Sequence, residues 1–265
     1  MAKADGPYMP RSGWVKRWAI QGAQVLSRSP EAILLVVATV LVTGYVSRTV
    51  IVAASELTGL KILGITVSNI VTVPVGMIGI MLSLNALRHA DRGERSRPEV
   101  LIAAGLPAIM SVTGFVAVLA GITMLFVLPA EMAGSLRDGM PLDAPGRGIL
   151  AVILVRGATE VSTAIAMGLI LHPFALGGVV LRGMDGQALR ANAWAMRTRD
   201  IAAYVRVMAA VFIGHILVFT MPPVVQVPLL ALYVAWFYVG AREVIDGDDQ
   251  NGKVEAARRA VMDPT

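Results

Sequence analysis

The chain has 265 residues, of which 56% are hydrophobic and 15% are charged, and its formal net charge is +5. Soluble domains contain about 45–50% apolar and about 25% charged residues. Too few charges are present to cover a water-facing surface, which argues against a soluble globule and against intrinsic disorder. The chain has no cysteine, which excludes disulfides and cysteine nucleophiles. The composition therefore predicts a polytopic membrane protein.

Residues 1–30 are predicted to form a cytoplasmic amino-terminal region with one amphipathic helix. At 100° per residue, the stretch 14–28 separates an apolar side from a polar side. The apolar side holds Trp14, Val15, Trp18, Ala19, Val25 and Leu26, and the polar side holds Arg17, Gln21, Gln24 and Arg28. We expect this helix to lie at the membrane interface, with Trp14, Trp18, Arg17 and Arg28 as an anchor. The alternative is a docking surface for a partner.

Six apolar stretches are long enough to cross a bilayer, which needs about 20 residues per helix. They are Ala32–Tyr45, Ile62–Leu87, Val100–Leu128, Ile149–Leu171 with an apolar tail to Leu181, Val205–Thr220 and Val224–Val239. Transmembrane β-strands would show alternating patterns of about ten residues, so these longer continuous runs favour helices. The prediction is an all-α bundle with a six-span domain at 31–241 and a cytoplasmic polar tail at 242–265. The apolar tail after Pro173 is expected either at the interface or re-entering the bundle.

Basic residues predict the orientation. Seventeen of them lie before the first span, after the sixth, or in the second–third and fourth–fifth connections, whereas four lie on the other side. The positive-inside bias then places both termini in the cytoplasm of a bacterium, with the chain in the inner membrane. Basic clusters beside apolar spans indicate anionic lipid headgroups as partners, and we expect no nucleic acid.

Arg156 and Glu160 are the most informative polar residues within a span. They lie four apart on one helix face, about 6 Å along the axis. Charges at this depth are costly, and an intramembrane ionisable residue is a functional candidate by default. Thr159 and Thr163 place hydroxyls nearby, and Asn69 lies in the second span, where it could hydrogen-bond to this helix. The alternative is a purely structural ion pair that clamps a neighbouring helix.

His172 and His215 could suggest a bis-histidine haem. We expect His215 about 15 Å deeper in the membrane than His172, so the two could not easily flank one metal. No cofactor or metal is expected. His172-Pro173 is expected to mark a bend. The sequence contains no Walker loop, no Gly-x-Ser-x-Gly and no His-Glu-x-x-His, and we expect no enzyme.

Three segments resemble one group of proteins: Gly13–Arg17, the exit Arg88–Arg95, and the late helix around Ala188–Asn192. The group consists of six-span bacterial inner-membrane proteins of uncharacterised function. The resemblance implies a helical integral membrane protein and brings no reaction with it.

The small-residue stripes in the second and third spans predict close helix packing, chiefly within the bundle. They are Gly76, Gly79, Ser83 and Ala86, and then Ser111, Gly114, Ala117 and Gly121. Together with the amphipathic flanks, they favour a non-enzymatic accessory or scaffold subunit that packs against other membrane proteins. The alternative is a small transporter or channel that uses Arg156 and Glu160.

Overall fold

The chain folds as a bundle of helices, and the computed structural model describes residue 10 and residues 12–93, 97–138 and 149–247. These residues contain no strand. In chain order the α-helices are α1 (Trp14–Ser27), α2 (Pro30–Thr58), α3 (Lys61–Arg92), α4 (Pro98–Asp138), α5 (Ile149–Ile165), α6 (Ala175–Arg182), α7 (Gly186–Arg199), α8 (Ile201–Thr220) and α9 (Pro223–Ala241). Two of these helices, α5 and α9, continue into short π-helical segments at Ala166–Leu171 and Arg242–Asp246.

Among the described residues, five helices are long and apolar enough to cross a membrane: α2, α3, α4, α8 and α9. The count becomes six if α5 and α6, which meet at an angle of 54°, form one broken span. The prediction of an all-helical membrane-embedded chain with about six spans is therefore confirmed. Large apolar side chains on α2 and α4 face outward, as lipid-exposed helices require.

Two span boundaries differ from the predicted ones. The first apolar run was expected to end near Tyr45, but α2 continues to Thr58 and stops at Gly59, whose φ of 68° suits glycine. Likewise, α4 passes through Pro129 and ends at Asp138. Proline is tolerated inside membrane helices because neighbouring helices and local adjustments satisfy the backbone group that it frees. Residues 139–148, between α4 and α5, lie outside the described residues.

Helix α1 packs on α9, and Trp18 is the centre of the contact. Trp18 is fully buried, and its ring lies edge-on against Phe174 and Trp236, with centroids 5.7 and 5.3 Å away. A Cβ at Gly240 would lie 2.7 Å from the Trp18 ring, so glycine provides the space for the indole. Trp18 is therefore a core residue and is unavailable to lipid or to another protein, whereas Val15 and Ala19 of the predicted apolar side are exposed.

Ion pairs connect several helices at the end of the bundle where α3 and α9 finish. This end is called the basic end. Glu243 accepts two hydrogen bonds from Nη2 of Arg17, at 2.6 and 2.7 Å, and a third from Nε1 of Trp18 at 2.6 Å. The other contacts pair Asp91 with Arg242 and Tyr238, and Asp246 with Arg92 and Arg182. These three acids thus join α1, α3, α6 and α9.

The residues just after α9 do not begin a polar tail at 242 as predicted. Val244 and Ile245 are 0% and 3% exposed, because the π-helical segment turns them into the core. The packed domain therefore includes residues 242–246, and the remaining tail from 248 to 265 lies outside the described residues.

A bend at His172-Pro173 separates α5 from α6, as predicted. All residues of α6 from Ala175 to Leu181 are buried, and α6 packs against α3, α4 and α9. The apolar tail after Pro173 is therefore inside the bundle rather than on the membrane surface. A backbone carbonyl of α6, that of Val180, also accepts a hydrogen bond from Arg88 at the end of α3.

The contact between α1 and α9 predicts that Gly22→Ala destabilises the protein. A Cβ at Gly22 would lie 2.9 Å from the backbone carbon of Ala235, and backbone cannot move aside cheaply. We expect the free energy of unfolding to fall by about 1–3 kcal/mol in a thermal or chemical unfolding experiment in detergent.

Gly114→Ala is the matched control, because nothing lies within 4 Å of a Cβ at that helical glycine. Alanine is favoured over glycine in a helix by about 1 kcal/mol. The control should therefore be as stable as the wild type or more so. Equal losses in the two variants would contradict close packing of α1 on α9.

Candidate intramembrane site

An acid and a histidine meet across two membrane-spanning segments. Oε2 of Glu160, on α5, lies 3.1 Å from Nε2 of His215, on α8. The two side chains are 18% and 15% exposed, so both are largely removed from the surface. Nε2 of His215 is buried and has no aligned hydrogen bond, so the carboxylate and the imidazole are close without being hydrogen-bonded. The His215 ring also packs on Phe219, with the centroids 4.5 Å apart.

The depth of the pair follows from helix geometry. Glu160 lies eleven residues after Ile149, which is about 17 Å along α5. His215 lies fourteen residues after Ile201, about 21 Å along α8. Glu160 is therefore central in the apolar segment 149–171, whereas His215 lies in the last third of α8, about 7.5 Å before the end of that helix. An ionisable pair thus lies within two apolar segments, where an unpaired charge is costly in a bilayer.

The hydroxyl groups near Glu160 are used within their own helix. Thr159 donates to the carbonyl of Val155 at 2.9 Å, and Thr163 donates to that of Thr159 at 2.8 Å. Each hydroxyl keeps acceptor capacity for a further donor. These two predicted site residues thus line the helix that carries Glu160.

Ser68, the residue before Asn69 on the second span, donates to Ser47 of α2 at 2.7 Å, which holds the α2–α3 hairpin together. Nδ2 of Asn69 is buried and has no hydrogen-bond partner among the described residues. α3 does pack against α5. Asn69 therefore remains a polar group on a helix next to Glu160.

The predicted pairing of Arg156 with Glu160 falls outside the described side chains. Arg156 belongs to α5, but the position of its guanidinium is not among the described residues' side chains. The partner that the structure gives to Glu160 is His215.

A second polar cluster lies where α5 becomes π-helical. The wider turn frees the carbonyls of Gly168 and Leu169, which then need other donors. Tyr204 donates to Gly168 at 2.5 Å, and Arg197 donates to Leu169 at 2.5 Å and to Tyr204 at 2.9 Å. The cluster therefore stabilises the π-helical segment and anchors α7 and α8 to it.

His172 stands apart from His215. Its Nδ1 accepts the backbone N–H of Phe174 at 2.9 Å, and the side chain is fully buried. The two histidines occupy separate surroundings and do not flank one metal. Within the described part of the chain, no group of three or more His, Asp or Glu side chains could hold a metal ion.

The predicted anchor residues divide between the core and the surface. Trp14 is partly buried and packs on Trp18 and Trp236, with centroids 4.5 and 6.0 Å away. Arg17 pairs with Glu243, as described above. Arg28 alone among the four is exposed.

His215 was not predicted as the partner of Glu160. The signal was present, because both residues lie inside apolar stretches of successive predicted spans. His215 was considered as a possible haem ligand with His172 instead. The acids Asp91, Glu243 and Asp246 were also not predicted as partners, although Asp91 and Glu243 each stand beside an arginine and Asp246 lies one helical turn after Arg242.

Comparisons of the chain with known protein families, with curated proteins and with solved structures find no match. The chemistry of the site therefore has to be read from its own residues.

The contact between Glu160 and His215 predicts energetic coupling. We expect Glu160→Ala and His215→Ala each to lower the free energy of unfolding, and the double variant to lose less than the sum. The coupling energy should be about 0.5–2 kcal/mol, the range found for polar contacts between membrane helices. A double-mutant cycle in detergent measures this coupling energy.

Thr163→Ala with His215→Ala is the control pair, for which we expect additive losses of stability. Additive losses for Glu160 with His215 would mean that these two residues do not interact.

Proposed function

We propose that the protein is a membrane transporter or channel that moves protons, and that Glu160 and His215 form its proton-binding site. The observation that supports this proposal is the 3.1 Å approach of carboxylate and imidazole between α5 and α8, inside two apolar segments. Carboxylates and histidines inside spans mark proton relays and ion pathways in membrane proteins. Carboxylate and imidazole can each bind and release a proton, which suits reversible proton exchange.

The geometry favours reversible proton exchange over a permanent structural contact. A polar contact that stabilises two helices in hydrocarbon is strongest when its donor and acceptor are aligned. Nε2 of His215 approaches Glu160 without such alignment. One proton can then lie on either group, giving a neutral pair of carboxylic acid and imidazole or an ion pair of carboxylate and imidazolium, and no catalytic chemistry is required. On this proposal the chain is not an enzyme.

Replacing Glu160 should abolish proton movement. We expect liposomes that contain the purified protein to dissipate an imposed pH gradient faster than empty liposomes, as followed with an internal pH-sensitive dye. Glu160→Gln should slow this flux by at least about tenfold, because a general proton-transfer group contributes 10²–10⁴-fold where it is essential. Abundance and unfolding temperature should stay close to those of the wild type.

Glu56→Gln is the matched control, since it removes an exposed carboxylate from α2. The control should keep the wild-type flux. Flux no faster than that of empty liposomes, or equal flux in Glu160→Gln and the wild type, would refute the transport proposal. A loss of abundance with no change in flux would favour the second function below.

The second candidate function is a non-enzymatic accessory or scaffold subunit that packs against a helix of another membrane protein. The supporting observation is the orientation of the stripe on α4. Ser111, Gly114 and Gly121 are exposed, and nothing lies within 4 Å of a Cβ at either glycine. This stripe is therefore not used within the bundle, contrary to expectation, whereas Gly79 of α3 packs closely on Thr39. Small residues on an open face permit close approach of a second helix.

We also propose that the chain lies in the inner membrane of a bacterium, with both termini in the cytoplasm. The support is the basic end, where α1, the end of α3, α6 and the end of α9 meet. Positive residues are retained on the cytoplasmic side of such membranes. Alkaline phosphatase fused after residue 265 should then be inactive, and a fluorescent protein fused there should fold. An active phosphatase fusion would reverse the orientation.

A further inference from the structure

The basic residues at the basic end fall into two groups. Arg17, Arg92, Arg182 and Arg242 each contact an acid of the same chain, so their charge is compensated internally. Arg190 on α7 and Arg206 on α8 contact no acid among the described residues. Their Nε atoms donate to backbone carbonyls of their own helices, Gly186 at 3.1 Å and Ala202 at 3.2 Å. Each of these two helices therefore carries an arginine that has no acidic partner in the described part of the chain.

Trp194 accompanies this charge. It follows Arg190 by one turn, so the two side chains share a face of α7. Trp194 is 66% exposed, whereas Trp18 is fully buried. The opposite face of α7 carries Leu189, Ala193 and Met196, which are buried in the bundle. An indole beside an arginine on the outer face of a helix is typical of the headgroup region of a bilayer.

Arg206 lies on the lipid-facing side of a membrane-spanning helix. Its exposed neighbours on α8 are Ile201 and Val205, at 67% and 56% exposure. An unpaired guanidinium among lipid-exposed apolar residues must extend to the headgroups to stay solvated. Phosphate suits it best there, because guanidinium donates two parallel hydrogen bonds to phosphate oxygens.

We infer that Arg190, Trp194 and Arg206 form a binding surface for the headgroup of an anionic phospholipid. Each arginine binds the phosphate of a lipid headgroup, and the Trp194 indole beside Arg190 lies at the boundary between headgroup and acyl chain. Choice of an anionic over a zwitterionic lipid follows from charge, because a choline group would bring a positive charge to two arginines. This inference does not depend on proton transport through Glu160.

Native mass spectrometry of the full chain in mild detergent tests the surface. The protein is titrated with phosphatidylglycerol and, separately, with phosphatidylcholine of the same acyl chains. We expect the wild type to retain phosphatidylglycerol preferentially. The double variant Arg190→Gln/Arg206→Gln should bind phosphatidylglycerol about tenfold more weakly, with retention of phosphatidylcholine unchanged. Both side chains are exposed, so the fold should persist, as checked by thermal unfolding.

The double variant Arg48→Gln/Lys61→Gln is the control. It removes the same net charge from exposed positions far along the chain from α7 and α8. The control should bind phosphatidylglycerol as the wild type does. Equal weakening in the control would show that net charge alone attracts the lipid, and unchanged binding in Arg190→Gln/Arg206→Gln would equally overturn the inference.

The role of Trp194 is tested by fluorescence. The protein is placed in nanodiscs whose phosphatidylglycerol carries bromine near the headgroup end of its acyl chain, since bromine quenches nearby indoles. Trp194→Phe should remove most of the quenching seen in the wild type, because Trp194 is 66% exposed, Trp18 is fully buried, and Trp14 and Trp236 are partly buried against the core. Quenching that is the same in Trp194→Phe and the wild type would place the indole away from the lipid and overturn its part in the surface.

Discussion

The structure depends on one constraint: polar groups within a bilayer must find their partners inside the protein. The threonines of the spans donate to carbonyls one turn back, as Thr163 does to Thr159. Where α5 widens into a π-helical turn, Tyr204 and Arg197 supply the donors that the freed carbonyls require. Glu160 and His215 satisfy this constraint only in part, because they approach to 3.1 Å without an aligned hydrogen bond at Nε2 of His215.

The fold class was predictable because long apolar runs can be read directly from the sequence. Spans, the bend at His172-Pro173 and the amphipathic character of α1 are all visible in a window of a few turns. What covers the buried side of α1 was not predictable, because Trp18 packs against Phe174 and Trp236, which lie far along the chain. Hydrophobic periodicity shows which face is apolar but does not show whether lipid or protein covers it.

The candidate site was predictable in part for the same reason. Glu160 was recognised because a carboxylate in a span is rare. Its partner was sought on the same helix, at Arg156, since spacing along one helix is all that a sequence gives directly. His215 lies on α8, and the pairing depends on how α5 and α8 are placed side by side. The ion pairs of the basic end are equally a product of tertiary arrangement, so arginines expected to face lipid are instead matched to Asp91, Glu243 and Asp246.

The packing of α1 against α9 has a consequence for biosynthesis. Arg17 and Glu243 are separated by 226 positions, so α1 contacts a segment that the ribosome makes much later. Until α9 has been made, the indole of Trp18 has no cavity to enter. Closure of this long loop therefore has to wait for α9, and it joins distant parts of the chain in one cooperative unit.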